Sequence, residues 1–226
     1  MLVGLDGVEL DVQRTLDGAL VVHHDFHLPD GRLISALRER EVLAAELPEG
    51  GSVPTFDQVL AWAHDRGAYL NVEIKATDWR TDGREIETVR AIQRFGLRER
   101  VIISSFNPSS ILRVRMADSR LETGLLWDAA IAPNWLLARG QLAPVLGVKA
   151  VHPRHNLITP EFVERAHARG WRVNAWTVND LDRARELVEM GVDGLISDAP
   201  TVILTAAGRM NAPEVIAPNP EPPSLL

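Results

Sequence analysis

The sequence predicts an α/β protein, a TIM (β/α)8 barrel whose first strand–helix unit is missing from this chain. Three observations carry that prediction. Short apolar, β-branched runs alternate with longer segments of helical period from Gly7 to about residue 210, which implies parallel strands joined by right-handed crossovers. The polar residues of those runs collect at their C-terminal ends (Glu9 and Asp11, Glu73 and Lys75, Ser104 and Ser105, His152, Trp176, Asp198). A barrel gathers all such ends around one mouth, whereas an open sheet uses only those beside a switch point. Finally, the glycine fingerprint of an open dinucleotide-binding sheet follows none of the runs.

In chain order, strands are predicted over 7–12, 69–75, 101–105, 124–127, 148–152, 172–178 and 193–197. Between them stand helices with recognisable punctuation. Pro54-Thr55 precedes the helical segment 58–64. Thr159-Pro160-Glu161 opens 162–168, which Gly170 closes, and Asn179-Asp180 caps 181–190, which Gly191 closes. A barrel of eight needs one more strand and helix ahead of Gly7, where only six residues stand. The expectation is therefore a barrel with one stave absent and two exposed edges. Residues 1–210 form this single domain; residues 211–226, proline-rich and without period, are expected to be a disordered tail.

Composition excludes several classes. The 226 residues are 46% hydrophobic and 24% charged, the balance of an ordinary globular protein. No apolar run approaches the ~18 residues of a membrane span, and no basic-then-apolar leader follows Met1, so a cytoplasmic location is expected. With no cysteine, disulfides and thiolate metal sites are excluded. A net charge of −7 argues against nucleic acid as the main partner. Only two lysines, Lys75 and Lys149, stand among 24 basic residues, so a lysine at a strand end draws notice.

Between Val12 and Asp25 there is no room for a crossover helix, and Asp17-Gly18 sits between two β-prone runs, a strong hairpin signal. A two-residue turn there sets Val12 opposite His23 and Asp11 opposite His24. Glu9 and Asp11, two apart, share a face of their strand, and a cross-strand His24 joins them with Cβ atoms ~5 Å apart. A longer turn would move the partner by one residue. Two inward carboxylates are costly to bury unless paired or bound to a cation, and oxygen ligands suit Mg²⁺ or Ca²⁺. Glu73 and Lys75 repeat the i, i+2 spacing on the next barrel strand. Glu73 reads as a third metal ligand and Lys75 as a cation for an anionic substrate, with a buried Glu–Lys pair as the plain structural alternative. A metal, a lysine and a histidine together suit phosphoryl chemistry. His152 is a lesser candidate for substrate contact.

The motifs GVELDV, the Asp17-Gly18 turn, VVHHD, NVEIK, ISSFNP, NAWTVND and GVDGLISDAP, in this order, resemble the glycerophosphodiester phosphodiesterase family from Gly7 to about Pro200. The resemblance implies a TIM barrel that hydrolyses glycerophosphodiesters to glycerol 3-phosphate and an alcohol. It implies one divalent cation on Glu9, Asp11 and Glu73, a catalytic histidine at His24, a phosphate-contacting lysine at Lys75 and an aromatic at the substrate mouth at Trp176. The family's first strand, with a His-Arg-Gly motif, and the following Glu-Asn-Thr helix have no counterpart here. That is the same stave missed by strand counting, roughly 30 residues by the size of one βα unit. The chain as written is therefore expected to be weakly active or inactive. Two other readings stay open: a non-catalytic barrel that binds metal or phosphate, and another divalent-metal barrel enzyme.

Overall fold

The computed structural model describes residues 4–48, 50–76, 79–128 and 142–210. The proline-rich segment 211–226 lies outside the described residues. Eight strands form one curled sheet in the order β2-β1-β3-β4-β5-β6-β7-β8. They are β1 (Gly7–Arg14), β2 (Leu20–Val22), β3 (Tyr69–Ile74), β4 (Val101–Ser105), β5 (Glu122–Trp127), β6 (Ala150–Pro153), β7 (Arg172–Ala175) and β8 (Gly194–Leu195). Only β2 is antiparallel; the other seven run parallel, each to its neighbour in the arc. Every predicted strand lies within a few residues of an observed one.

Helices α1 (Glu39–Leu43), α2 (Phe56–Arg66), α3 (Arg84–Arg94), α4 (Pro108–Ala117), α5 (Ala143–Leu146), α6 (Pro160–His167), α7 (Leu181–Glu189) and α8 (Pro200–Ala206) fill the connections. Their starts follow the sequence punctuation. Thr55 and Gln58 make a reciprocal capping box on α2, Thr159 caps α6, and Asp180 accepts from Arg183 N at the head of α7. The prolines at the first turns of α4, α6 and α8 occupy positions whose N–H would have no partner anyway.

Alternation along each strand splits the core. In β3, Leu70, Val72 and Ile74 pack outward against α2 and α3, joining Phe56, Leu60, Val89 and Ile92. The second half of the arc buries Leu125, Val151 and Val173 against Val163, Ala184 and Leu187. Asn71 and Glu73 alternate with the outward residues and face inward. Between β2 and α2 the chain makes an excursion that holds its own small core of Val21, Leu28, Ile34, Val42 and Val53.

Over Gly7–Asp11 one edge of β1 has no strand partner among the described residues, nor has the outer edge of β8. The chain ends of the arc nevertheless meet. Arg209, just beyond α8, donates to Gly4 O at 3.2 Å and Asp6 Oδ2 at 2.8 Å. The arc is that of a barrel with one open seam.

The hairpin register differs from the predicted one. Val12 pairs with Val22, Gln13 with Val21 and Arg14 with Leu20, one residue short of the two-residue-turn alignment. The turn is longer because Thr15 closes it: Thr15 N donates to Ala19 O at 2.9 Å, and Thr15 Oγ1 accepts from Ala19 N at 3.0 Å. Leu16, Asp17 and Gly18 form the loop, with Gly18 at φ 97°, a conformation that needs glycine. As a result His23, not His24, stands opposite Asp11, with His23 N donating to Asp11 O at 3.1 Å.

Inside the barrel, His152 fills the space above Gly124. A Cβ at Gly124 would lie 2.4 Å from His152 Nε2, so any larger residue there would force the ring to move. The ring is fully enclosed, Asn174 Nδ2 lies 3.0 Å from Nε2, and burial, followed by the charge of Arg172, pushes its pKa down to about 3. His152 is thus a neutral interior residue, out of reach of a molecule at the mouth.

Candidate active site

The inward face of β1 and the end of β3 build the centre of the site. Glu9 and Asp11 point the same way by strand alternation, and Asp11 is in register with Glu73 on β3. One carboxylate oxygen from each of Glu9, Asp11 and Glu73 lies within 4.8 Å of the others. Asp11 and Glu73 are buried and Glu9 half-buried.

Burial raises all three acids. Glu9 is pushed up to about 8, by burial first and then by Asp11 and Glu73; Glu73 is pushed up to about 7, by burial and then Asp11. Asp11 is raised by burial, against the pull of Lys75. Lys75, just past the end of β3, sets its Nζ 3.1 Å from Asp11 Oδ1 and 3.5 Å from Glu73 Oε1. Although burial alone would lower its pKa, Glu73 and Asp11 reverse that effect and hold the ammonium charged. Arg84 donates to the carbonyl of Lys75 and so fixes the backbone that carries it.

The residues fit a hard divalent cation. The donor set is all oxygen, three carboxylates converge, and the buried Asp11 Oδ1 has Lys75 Nζ as its close polar neighbour, at 3.1 Å.

His24 stands on the loop after β2, 77% exposed, with Nδ1 2.8 Å from Asp25 Oδ1. It follows the last ladder residue, Val22, and is not paired to β1. A positive charge on its ring would lower both Asp11 and Glu73. Trp176 follows β7 and donates from Nε1 to His152 O at 2.7 Å. Its ring meets Phe106, which follows β4, edge-to-face at 5.4 Å between centroids and 87°. Because β5 and β6 separate those two strands, the pair spans that side of the mouth.

Residues 2–202 match the Glycerophosphoryl diester phosphodiesterase family. The chain belongs to this family. Among its similar relatives is the glycerophosphodiester phosphodiesterase of Caldanaerobacter subterraneus subsp. tengcongensis, 32% identical, with 90% of this chain and 86% of that protein covered. The glycerophosphodiester phosphodiesterase of Bacillus altitudinis is 28% identical over 87% of this chain and 84% of its own. Two solved structures superpose closely. A glycerophosphodiester phosphodiesterase from Parabacteroides distasonis does so with a TM-score of 0.77 at 26% identity, covering 92% of this chain and 86% of that one. A phosphodiesterase from Oleispira antarctica, in complex with the product sn-glycerol-3-phosphate, does so with a TM-score of 0.74 at 25% identity, covering 91% and 86%. These structures bear out the barrel-type fold.

Two phosphodiesterase-family motifs have structural work that the sequence alone did not expose. In NAWTVND, Asn179 Oδ1 accepts from Asp198 N and Ser197 Oγ while its Nδ2 donates to Asp198 Oδ2 at 2.9 Å. This holds Asp198 where its charge adds to the rise of Glu9. In ISSFNP, Ser105 Oγ donates to Ile74 O at 2.8 Å, tying β4 to the end of β3 next to Lys75, and Asn107 caps α4.

The raised acids give a stability prediction. Without a cation, the folded chain holds protons on Glu9 and Glu73 that an unfolded chain has released above about pH 4.5. The folded state binds more protons across that window, so stability falls as pH rises from about 4.5 to 8. Glu73→Gln removes part of this. In the presence of chelator it is expected to be more stable than the parent at pH 8, by on the order of 1–3 kcal/mol, and so to melt higher there, and to melt equally at pH 4. Thermal melts at the two pH values check this.

Proposed function

We propose that this chain hydrolyses glycerophosphodiesters to glycerol 3-phosphate and an alcohol, with Glu9, Asp11 and Glu73 holding one Mg²⁺ or Ca²⁺. The convergence of those three carboxylates beside Lys75 at the barrel mouth carries the reading. It is supported by the family to which the chain belongs and by the glycerol 3-phosphate bound to the Oleispira antarctica relative.

A divalent cation there would neutralise charge on a phosphoryl oxygen. Lys75 adds a fixed positive charge on the same side, so a phosphodiester is held and its developing negative charge met by Nζ. His24 moves a proton. With Nδ1 engaged by Asp25 Oδ1, Nε2 is the atom left to give to, or take from, the reacting oxygens. Phe106 and Trp176 offer an apolar wall to the glycerol carbons or to the alcohol, and Trp176 is fixed by its bond to His152 O.

The test is a substrate panel followed by ³¹P NMR: glycerophosphodiesters with different alcohols, a sugar phosphate and an intact phospholipid, each with Mg²⁺ or Ca²⁺ present. Release of glycerol 3-phosphate from the glycerophosphodiesters alone is the expected result. Cation binding with no release from any diester would overturn the catalytic reading.

A further inference from the structure

The most exposed member of the proposed machinery is His24, and an exposed side chain on a loop is poorly placed for proton transfer unless its backbone is held. Packing does not hold it, since 77% of the side chain is exposed. The polypeptide has left the β-ladder by then, because β2 ends at Val22. Two carbonyls, those of His23 and Asp25, flank it on either side.

Both carbonyls accept hydrogen bonds from one amide. Gln13 Nε2 donates to His23 O at 2.7 Å and to Asp25 O at 2.6 Å. Gln13 is only 3% exposed and is the third residue in the series Glu9, Asp11, Gln13 along one face of β1. A single strand thus presents two carboxylates of the cation site and then the donor that grips the His24 loop. The remaining bonds close the same knot. His23 N donates to Asp11 O, His23 Nδ1 lies 2.9 Å from Asp25 O, and His24 Nδ1 lies 2.8 Å from Asp25 Oδ1.

We infer that Gln13 is a positioning residue: its side-chain amide clamps the His23 and Asp25 carbonyls and so fixes His24 over the carboxylate cluster. With the 23–24 and 25–26 peptide groups both tied to one amide, the turn that carries His24 is anchored to β1, the element that also carries Glu9 and Asp11. Distance between proton-transfer group and reacting phosphate is then a property of one rigid strand. Glutamine supplies what the geometry needs, two N–H donors on one nitrogen at the reach of its side chain; glutamate has none when ionised. The inference rests on the proposed role of His24, but the clamp itself is readable without turnover.

The test uses Gln13→Met, which keeps the side-chain length and removes both donors, with Gln13→Asn, an amide too short by one methylene, as the second variant. Mn²⁺ bound to the full chain relaxes nearby nuclei steeply with distance. In the parent, the His24 ring protons and the Ser104 amide should both be strongly relaxed. In either variant the His24 effect is expected to fall severalfold while that at Ser104 and the Mn²⁺ affinity stay unchanged. The backbone order parameters of residues 23–25 should drop from about 0.85 to below about 0.6. Where the parent turns over a diester, kcat should fall at least tenfold with KM little altered. Unchanged His24 relaxation and rigid 23–25 amides in a folded variant would overturn the clamp, as would a mobile loop with undiminished kcat. If no diester is hydrolysed by the parent, the proposed function fails, and the relaxation data alone decide the clamp. If Mn²⁺ does not bind, the order parameters decide it.

Discussion

Asp11→Asn is expected to lower affinity for Mg²⁺ or Ca²⁺ by more than ~100-fold, beyond what losing a supporting outer group costs a metal site. Asp11 is the hinge of the cluster. It pairs in register with Glu73, shares a face with Glu9 and carries the closest contact to Lys75. Asparagine keeps the shape and one oxygen but removes the charge that would compensate the cation. Calorimetric titration of the chelator-stripped protein reads the loss directly. Glycerol 3-phosphate release at sub-saturating cation should fall in proportion. An affinity within threefold of the parent would place the cation elsewhere.

His24→Ala is expected to cost ~10²–10⁴ in kcat, the range for removal of a general acid or base, with cation affinity unchanged. The exposed ring contributes little packing, so the melting temperature should barely move. Leaving-group dependence assigns the direction of proton transfer. If His24 protonates the departing oxygen, a p-nitrophenyl ester, whose leaving group needs no proton, should be affected far less than an alkyl ester. An equal loss on both esters assigns His24 to the base.

Much of this arrangement was legible in the sequence because period-2 alternation is a strong rule. Glu9 with Asp11 and Glu73 with Lys75 need only the i, i+2 spacing to share a face, and parallel register then brings Asp11 to Glu73. The helices were legible through their caps at Thr55, Thr159 and Asp180. The hairpin register was not, because it turned on one side chain. Thr15 Oγ1 bonds across the turn to Ala19, which lengthens the loop by a residue and shifts the partner of Asp11 from His24 to His23. His24 sits instead on a loop whose path no local pattern specifies. Gln13 carries no chemical motif that marks it in the sequence. Its parity with Glu9 and Asp11 was the available signal. His152 resembled a mouth residue by position, but Gly124 leaves an interior space that its ring fills. That long-range fit between two strands has no signature in either strand alone.

The pH behaviour of the site follows from the same cluster. Glu9 and Glu73, raised to about 8 and 7, keep protons near neutrality that a cation must displace. Cation affinity should therefore climb as pH rises through that range, opposite in sign to the stability of the cation-free fold.

The measurement that bears most directly on the account is an anomalous diffraction experiment on crystals soaked in Mn²⁺, which stands in for Mg²⁺ with the same preference for oxygen ligands. The account predicts one strong peak at the barrel mouth, ~2.0–2.6 Å from carboxylate oxygens of Glu9, Asp11 and Glu73, with Lys75 Nζ no longer on Asp11. A peak at other residues, or an empty triad at saturating Mn²⁺ with Lys75 still paired to Asp11 and Glu73, would contradict it and leave the cluster as a buried ion pair.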